Sequence, residues 1–171
     1  MNCLRNRIAL VFFLALLITS GCRIIPWFGD YGESTEYLPK GEVILSRNVE
    51  ASQALSFSSP QFKLYIPAGA LRYDSRVEIT RYPLLLSGLN LPKEYRPVSE
   101  LYSINVLPAF NTLSQAATLK FSIANAVAGR SYMAAYRDSD GKWNFASPLA
   151  QTLTSDLVVE TLNFSDWLVV E

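Results

Sequence analysis

From Glu42 onward, apolar and polar positions along the chain repeat with a period of two, the spacing of a strand with one buried face. Phe62-Lys63-Leu64-Tyr65-Ile66 and Val77-Glu78-Ile79-Thr80-Arg81-Tyr82 show it, as does Tyr102-Ser103-Ile104-Asn105-Val106. Residues 116 to 123 repeat it through Ala117, Leu119, Phe121 and Ile123. Ser131 to Arg137 and Lys142 to Ala146 flank Asp138-Ser139-Asp140-Gly141, an Asp-Gly hairpin signal between aromatic-rich arms. Leu157 to Glu160 and Trp167 to Val170 complete the series. No window in this part holds a helical period, apart from one or two turns expected between Ser122 and Gly129. About seven to nine strands with frequent turns predict an all-β, antiparallel β-sandwich over residues 41–171.

The first 40 residues follow different rules. Arg5 and Arg7 precede an uncharged apolar run from Ile8 to Ile18, and the small residues Thr19-Ser20-Gly21 stand directly before Cys22. Basic start, apolar core and small-residue end are the parts of a secretory signal peptide, expected as a helix over 1–21. Eleven apolar residues are too few to cross a bilayer, which takes about 20. The segment resembles the lipobox cut by bacterial lipoprotein signal peptidase between Gly21 and Cys22, with Thr19 where leucine is commonest. The resemblance implies a diacylglyceryl thioether on Cys22, a mature chain starting there, and two or three acyl chains. Each buried methylene contributes about 0.8 kcal/mol, so two chains hold where one does not. Arg23, rather than aspartate, follows the cysteine, which favours the outer over the inner membrane. Residues 22–40, with Pro26, Gly29, Gly32 and Pro39, read as the lipidated cysteine and a flexible tether. Their Ile24-Ile25-Pro26-Trp27-Phe28 patch suits the lipid interface or the domain surface, with docking to a partner as the alternative.

Composition narrows the chemistry. Removing the leader takes away Arg5 and Arg7 and no acid, leaving 13 basic against 15 acidic residues, a net charge of −2. Nothing there draws the chain to nucleic acid. Cys3 departs with the leader, so the mature chain forms no internal disulfide. The 150 residues from Cys22 to Glu171 suffice for one unstapled core. The sequence contains no histidine, which excludes His-dependent triads and His-ligated metals. No cofactor or metal is expected, and an enzyme would have to work with Ser, Lys, Tyr or carboxylates alone.

Three segments together resemble the ZU-type β-sandwich of ankyrins, netrin receptors and tight-junction scaffolds. They are Phe62 to Leu71, with its Pro67-Ala68-Gly69-Ala70-Leu71 corner before Val77-Glu78-Ile79; Ser99 to Ile104 with Leu107-Pro108 and Ala117 to Phe121; and the terminal Leu162 to Val170. Some relatives in that superfamily cleave themselves at His-Phe-Ser. Here Phe164 and Ser165 follow Asn163, and an amide cannot act as general base near neutral pH. The chain is expected to stay intact, with Phe164 in the core and Ser165 bonding backbone at a strand entry.

Leu84 to Pro97, rich in leucine and broken by Gly88 and Pro92, is the one long stretch without strand character. Long irregular loops are often functional, so Leu85, Leu86, Leu89 and Tyr95 are the candidate contact residues. Covering the end of the sandwich is the competing role for this loop. Asp138 to Gly141 begins like a calcium loop but lacks the distal glutamate. Glu33 with Glu36, or Asp138 with Asp140, lie in a tether and a turn rather than across a sugar-sized cleft. Tyr73, Tyr82, Tyr95, Tyr132, Tyr136 and Trp143 could stack on sugars or fill the core. The expectation is a lipid-anchored, non-catalytic module of the bacterial cell envelope. It would be held to the membrane through Cys22 and would meet an envelope protein. A carbohydrate- or cell-wall-binding module is the alternative, marked by a row of aromatics on one sheet face, and a His-independent hydrolase stands third.

Overall fold

The computed structural model describes residues 40–84, 88–109, 112–151 and 155–171, within a unit running from Tyr37 to Glu171. The signal peptide, Gly21, Cys22 and the tether up to residue 39 lie outside the described residues, as do Leu85 and Leu86. The described chain is all-β. Its strands are β1 (Glu42–Val49), β2 (Leu55–Ser58), β3 (Phe62–Ile66), β4 (Ser75–Tyr82), β5 (Leu101–Leu107) and β6 (Ala117–Ser122). They continue with β7 (Met133–Arg137), β8 (Trp143–Ala146), β9 (Ala150–Gln151), β10 (Asp156–Thr161) and β11 (Asp166–Val170). One sheet has the order β1-β4-β5-β11-β7-β8, the other β2-β3-β6-β10-β9, and every pairing is antiparallel.

Alternation puts Phe62, Leu64 and Ile66 of β3 inward with Ala117, Leu119 and Phe121 of β6, facing Val77, Ile79, Tyr102 and Ile104 from the other sheet. The layers meet ring to ring. Phe62 stacks on Tyr102 at 4.3 Å between centroids and tilts against Phe121 at 5.2 Å. Burying each such side chain contributes about 1.5–3 kcal/mol.

The Pro67 to Leu71 corner has a direct backbone rationale. Pro67 lacks a ladder donor and ends β3. Gly69 adopts φ 77°, where a Cβ would be strained, and its N–H donates to the Ala51 carbonyl at 2.8 Å. Ala70 and Leu71 are then turned into the core.

Two details add to the expected pattern. The structure has more strands than anticipated, because β2 is a short edge strand whose serines mask its pattern and β9 is only two residues long. Residues 123–130 form no helix. Ala126 N–H donates to Ile123 O at 3.3 Å and Arg130 N–H to Val127 O at 3.2 Å, giving two isolated turns.

Candidate functional site

The stretch after β4 is tied down. Leu89, 3% exposed, joins Leu101, Ala135, Leu168 and Val170 in a second apolar cluster on the outer face of the six-stranded sheet, with Tyr95, Trp143 and Phe145 packed against it. Its carbonyl accepts the Trp143 indole N–H at 2.6 Å, and Tyr95 stacks on Phe145 at 4.0 Å. Arg96 and Glu171 exchange two backbone hydrogen bonds of 3.0 Å each. The loop therefore covers a sheet face rather than the sandwich's end. Of the candidate contact residues, Leu89 and Tyr95 are spent on packing, and Lys93, Glu94 and Arg96 face solvent.

The other proposed aromatics have mostly structural partners. Tyr132 is buried, its hydroxyl accepting the Val127 N–H at 2.8 Å. Tyr136 stacks on Trp167 at 4.8 Å, Tyr82 packs on the second cluster, and the Arg137 guanidinium sits 4.9 Å over Trp143. Tyr73 alone of that set is open to solvent, at 61%.

Asp138 is the hinge of the β7–β8 hairpin. Its carboxylate accepts the N–H groups of Asp140 at 3.0 Å and Lys142 at 2.9 Å, and the Asn144 amide at 2.8 Å. The Asn144 bond first, then the backbone bonds, hold its pKa below the ordinary aspartate value. Both carboxylate oxygens of Asp138 thus serve the hairpin turn itself. Among the described residues no group of three or more His, Cys, Asp and Glu could hold a metal, and no helix is long and apolar enough to cross a membrane.

Phe164 packs on the main core, and the Ser165 hydroxyl donates to the Asp166 carbonyl at 3.3 Å, one residue before β11. At the edge of the core, Arg81 pairs with Glu42 and lies 3.9 Å from Glu100, which accepts the Tyr102 hydroxyl at 3.0 Å. Burial, then the Glu100 bond, pushes the Tyr102 pKa upward. This group ties together β1, β4 and β5.

Among the described residues nothing covers the outer face of the five-stranded sheet in this way. Register aligns Ser56, Tyr65, Thr118 and Glu160 in one row and Ser58, Lys63, Lys120 and Val158 in the next. Lys120 Nζ pairs with Asp156 at 2.6 Å, and Ser122 Oγ donates to the same carboxylate at 2.8 Å. Lys120 foremost, then Ser122, keep Asp156 below the usual carboxylate range. Lys63 has no ion-pair partner within 4.0 Å among the described residues. A depression of about 390 Å³ is lined by Ser56, Ser58, Lys63, Tyr65, Thr118 and Lys120 together with Phe57 and Leu64. A second, of about 440 Å³, adjoins Gln61, Ser122 and Ser155. The sequence supplied a signal for this face: the polar positions of β3 and β6 carry both lysines and Tyr65. What it lacked was the adjacency of strands more than 50 residues apart.

No protein-family model matches this chain, and no curated protein matches it.

Proposed function

We propose that this chain is a lipid-anchored protein of the bacterial cell envelope whose ZU-like β-sandwich is a non-catalytic module that engages an envelope protein. The observation that carries the reading is the leader: Arg5 and Arg7, the apolar run Ile8 to Ile18, then Thr19-Ser20-Gly21-Cys22. The first strand among the described residues begins at Glu42, so about 20 residues separate the lipid-bearing cysteine from that strand. Fully extended, such a tether spans about 65–70 Å. Arg23 favours the outer membrane. The Pro67 to Leu71 corner, built on Gly69 and capped by buried Leu71, supports the ZU-like assignment.

With Leu89 and Tyr95 turned inward, the strand edge is the better contact surface. Among the described residues β1 is an eight-residue edge strand pairing only with β4, and its Val43 is 55% exposed. An open edge is a template for another chain's strand. The register shift between Val43 and Leu45 limits that template to its two halves, which guards against indiscriminate pairing.

Replacing Cys22 by Ser tests the anchor. Wild-type protein should take up labelled palmitate and enter the detergent phase, and the variant should do neither. Equal partitioning of the two would remove the basis of the proposal. For the contact role, envelope extracts should yield one specific companion that Val43→Arg loses.

A further inference from the structure

We propose that the outer face of the five-stranded sheet binds an acidic polysaccharide, one sugar ring lying on Tyr65 and its carboxylate meeting Lys63. This goes beyond the protein-contact role and does not depend on the lipid anchor.

The charge arrangement is the first argument. Lys63 and Lys120 are directly paired across β3 and β6, where like charges repel and cost stability. Asp156 offsets one of them by pairing with Lys120. Lys63 makes no direct ion pair among the described residues, Asp156 reaching it only at longer range, and it stands at a depression whose lining residues include no carboxylate. An anion seated there relieves the repulsion that the fold itself tolerates.

The kind of anion follows from what the face offers. The backbone groups of β3 and β6 are engaged in ladders on both sides, so an extended peptide finds no main-chain partners there. The face presents hydroxyls on Ser56, Ser58 and Thr118 and one flat ring, Tyr65, 47% exposed. Hydroxyls match the donor and acceptor pattern of a sugar, and an aromatic face matches its C–H surface. A row of aromatics, which would suit a neutral glycan, is missing from the described residues of this face. One ring needs help from charge, which selects an acidic sugar over a neutral one.

A chain rather than a single sugar fits the layout. Gln61, Lys63 and Tyr65 lie on one face at two-residue steps, and Ser122 and Lys120 oppose the first two across the β3–β6 seam. The two depressions therefore lie in line, spanning about 13 Å from Gln61 to Tyr65 at 3.3 Å per residue.

Binding of the full chain, purified in detergent, to polygalacturonate can be compared with binding to neutral dextran and to poly-L-glutamate. We expect polygalacturonate to be preferred over both, with affinity falling as salt rises. Lys63→Ser and Tyr65→Ser should each weaken it about tenfold, the scale of one charged hydrogen bond or one stacking contact. Tyr73→Ser, at a residue that lines neither depression, should bind as wild type with the same melting temperature. Cys22→Ser should also bind as wild type, separating this site from the anchor. Absence of binding, equal binding of polyglutamate, or binding unaffected by the Lys63 and Tyr65 changes would overturn the proposal.

Discussion

The indole N–H of Trp143, on β8, donates to the carbonyl of Leu89, in the segment that follows β4, at 2.6 Å. That bond joins two parts of the chain more than 50 residues apart and closes a third layer over the six-stranded sheet. The layer explains why β11 reads Trp167-Leu168-Val169-Val170 without polar interruption. Trp167 and Val169 face the core between the sheets, and Leu168 and Val170 face the covering segment. A strand covered on both faces needs no wet side.

Trp143→Phe keeps most of the ring and removes the donor. The Leu89 carbonyl then loses its partner, which costs about 1–3 kcal/mol when the group stays dry. Urea denaturation should report that loss, and hydrogen exchange should quicken selectively across residues 88–98, the Val98 N–H bonded to Val169 included. Uniform loss of protection over both sheets would mean the covering layer is not a separable unit.

The ring stack between Phe62 and Tyr102 predicts a larger effect at the centre. Phe62 is fully buried between the two sheets, so Phe62→Ala should cost about 3–5 kcal/mol through lost transfer energy and the cavity left behind. Phe62→Leu should recover much of that. An Ala variant that unfolds at the wild-type urea concentration would show that the sheets do not depend on this contact.

The fold was legible where one face was wet. β3, β4, β5, β6 and β10 alternate visibly because solvent demands polar residues on their outer positions. β2 was hidden because Ser56 and Ser58 sit beside a half-buried Phe57, leaving Leu55 as its one fully buried residue. The segment after β4 misled for a different reason. Its leucines look like an exposed contact surface in sequence, and nothing local says that the outer face of another sheet is waiting for them. The lysine-bearing face was half visible: periodicity assigns Lys63, Tyr65, Thr118 and Lys120 to outer positions, but only the β3–β6 pairing makes them neighbours.

Asn163 in place of histidine predicts an uncut chain. Thr161 Oγ1 donates to the Asn163 carbonyl at 2.7 Å and accepts the Asn163 N–H at 3.0 Å, holding this turn in place before Ser165. Mass spectrometry after prolonged incubation at neutral pH should find the Phe164–Ser165 bond whole. A fragment beginning at Ser165 would contradict this.

Stability should fall at both pH extremes, for opposite reasons. Asp138 and Asp156 have folded pKa values below their unfolded ones, set by the Asn144 and Lys120 contacts respectively. Their contribution is complete above about pH 4, where unfolded aspartate is also ionised, and disappears as pH drops through the lowered folded values. Asp138→Asn should therefore melt lower at neutral pH and lose stability less steeply below pH 4. Tyr102 behaves in reverse. Its pKa is raised by burial and by the Glu100 bond, so above about pH 10 the unfolded chain releases a proton that the folded one retains. Stability must then decline with rising pH, and Tyr102→Phe should flatten that alkaline limb while leaving the acid limb alone. An alkaline limb of the same slope in Tyr102→Phe would assign it to another group. The two limbs report different parts of the molecule: the acid one the β7–β8 hairpin and the lysine-bearing sheet face, the alkaline one the rim of the core where Arg81, Glu42 and Glu100 join β1 to its neighbours.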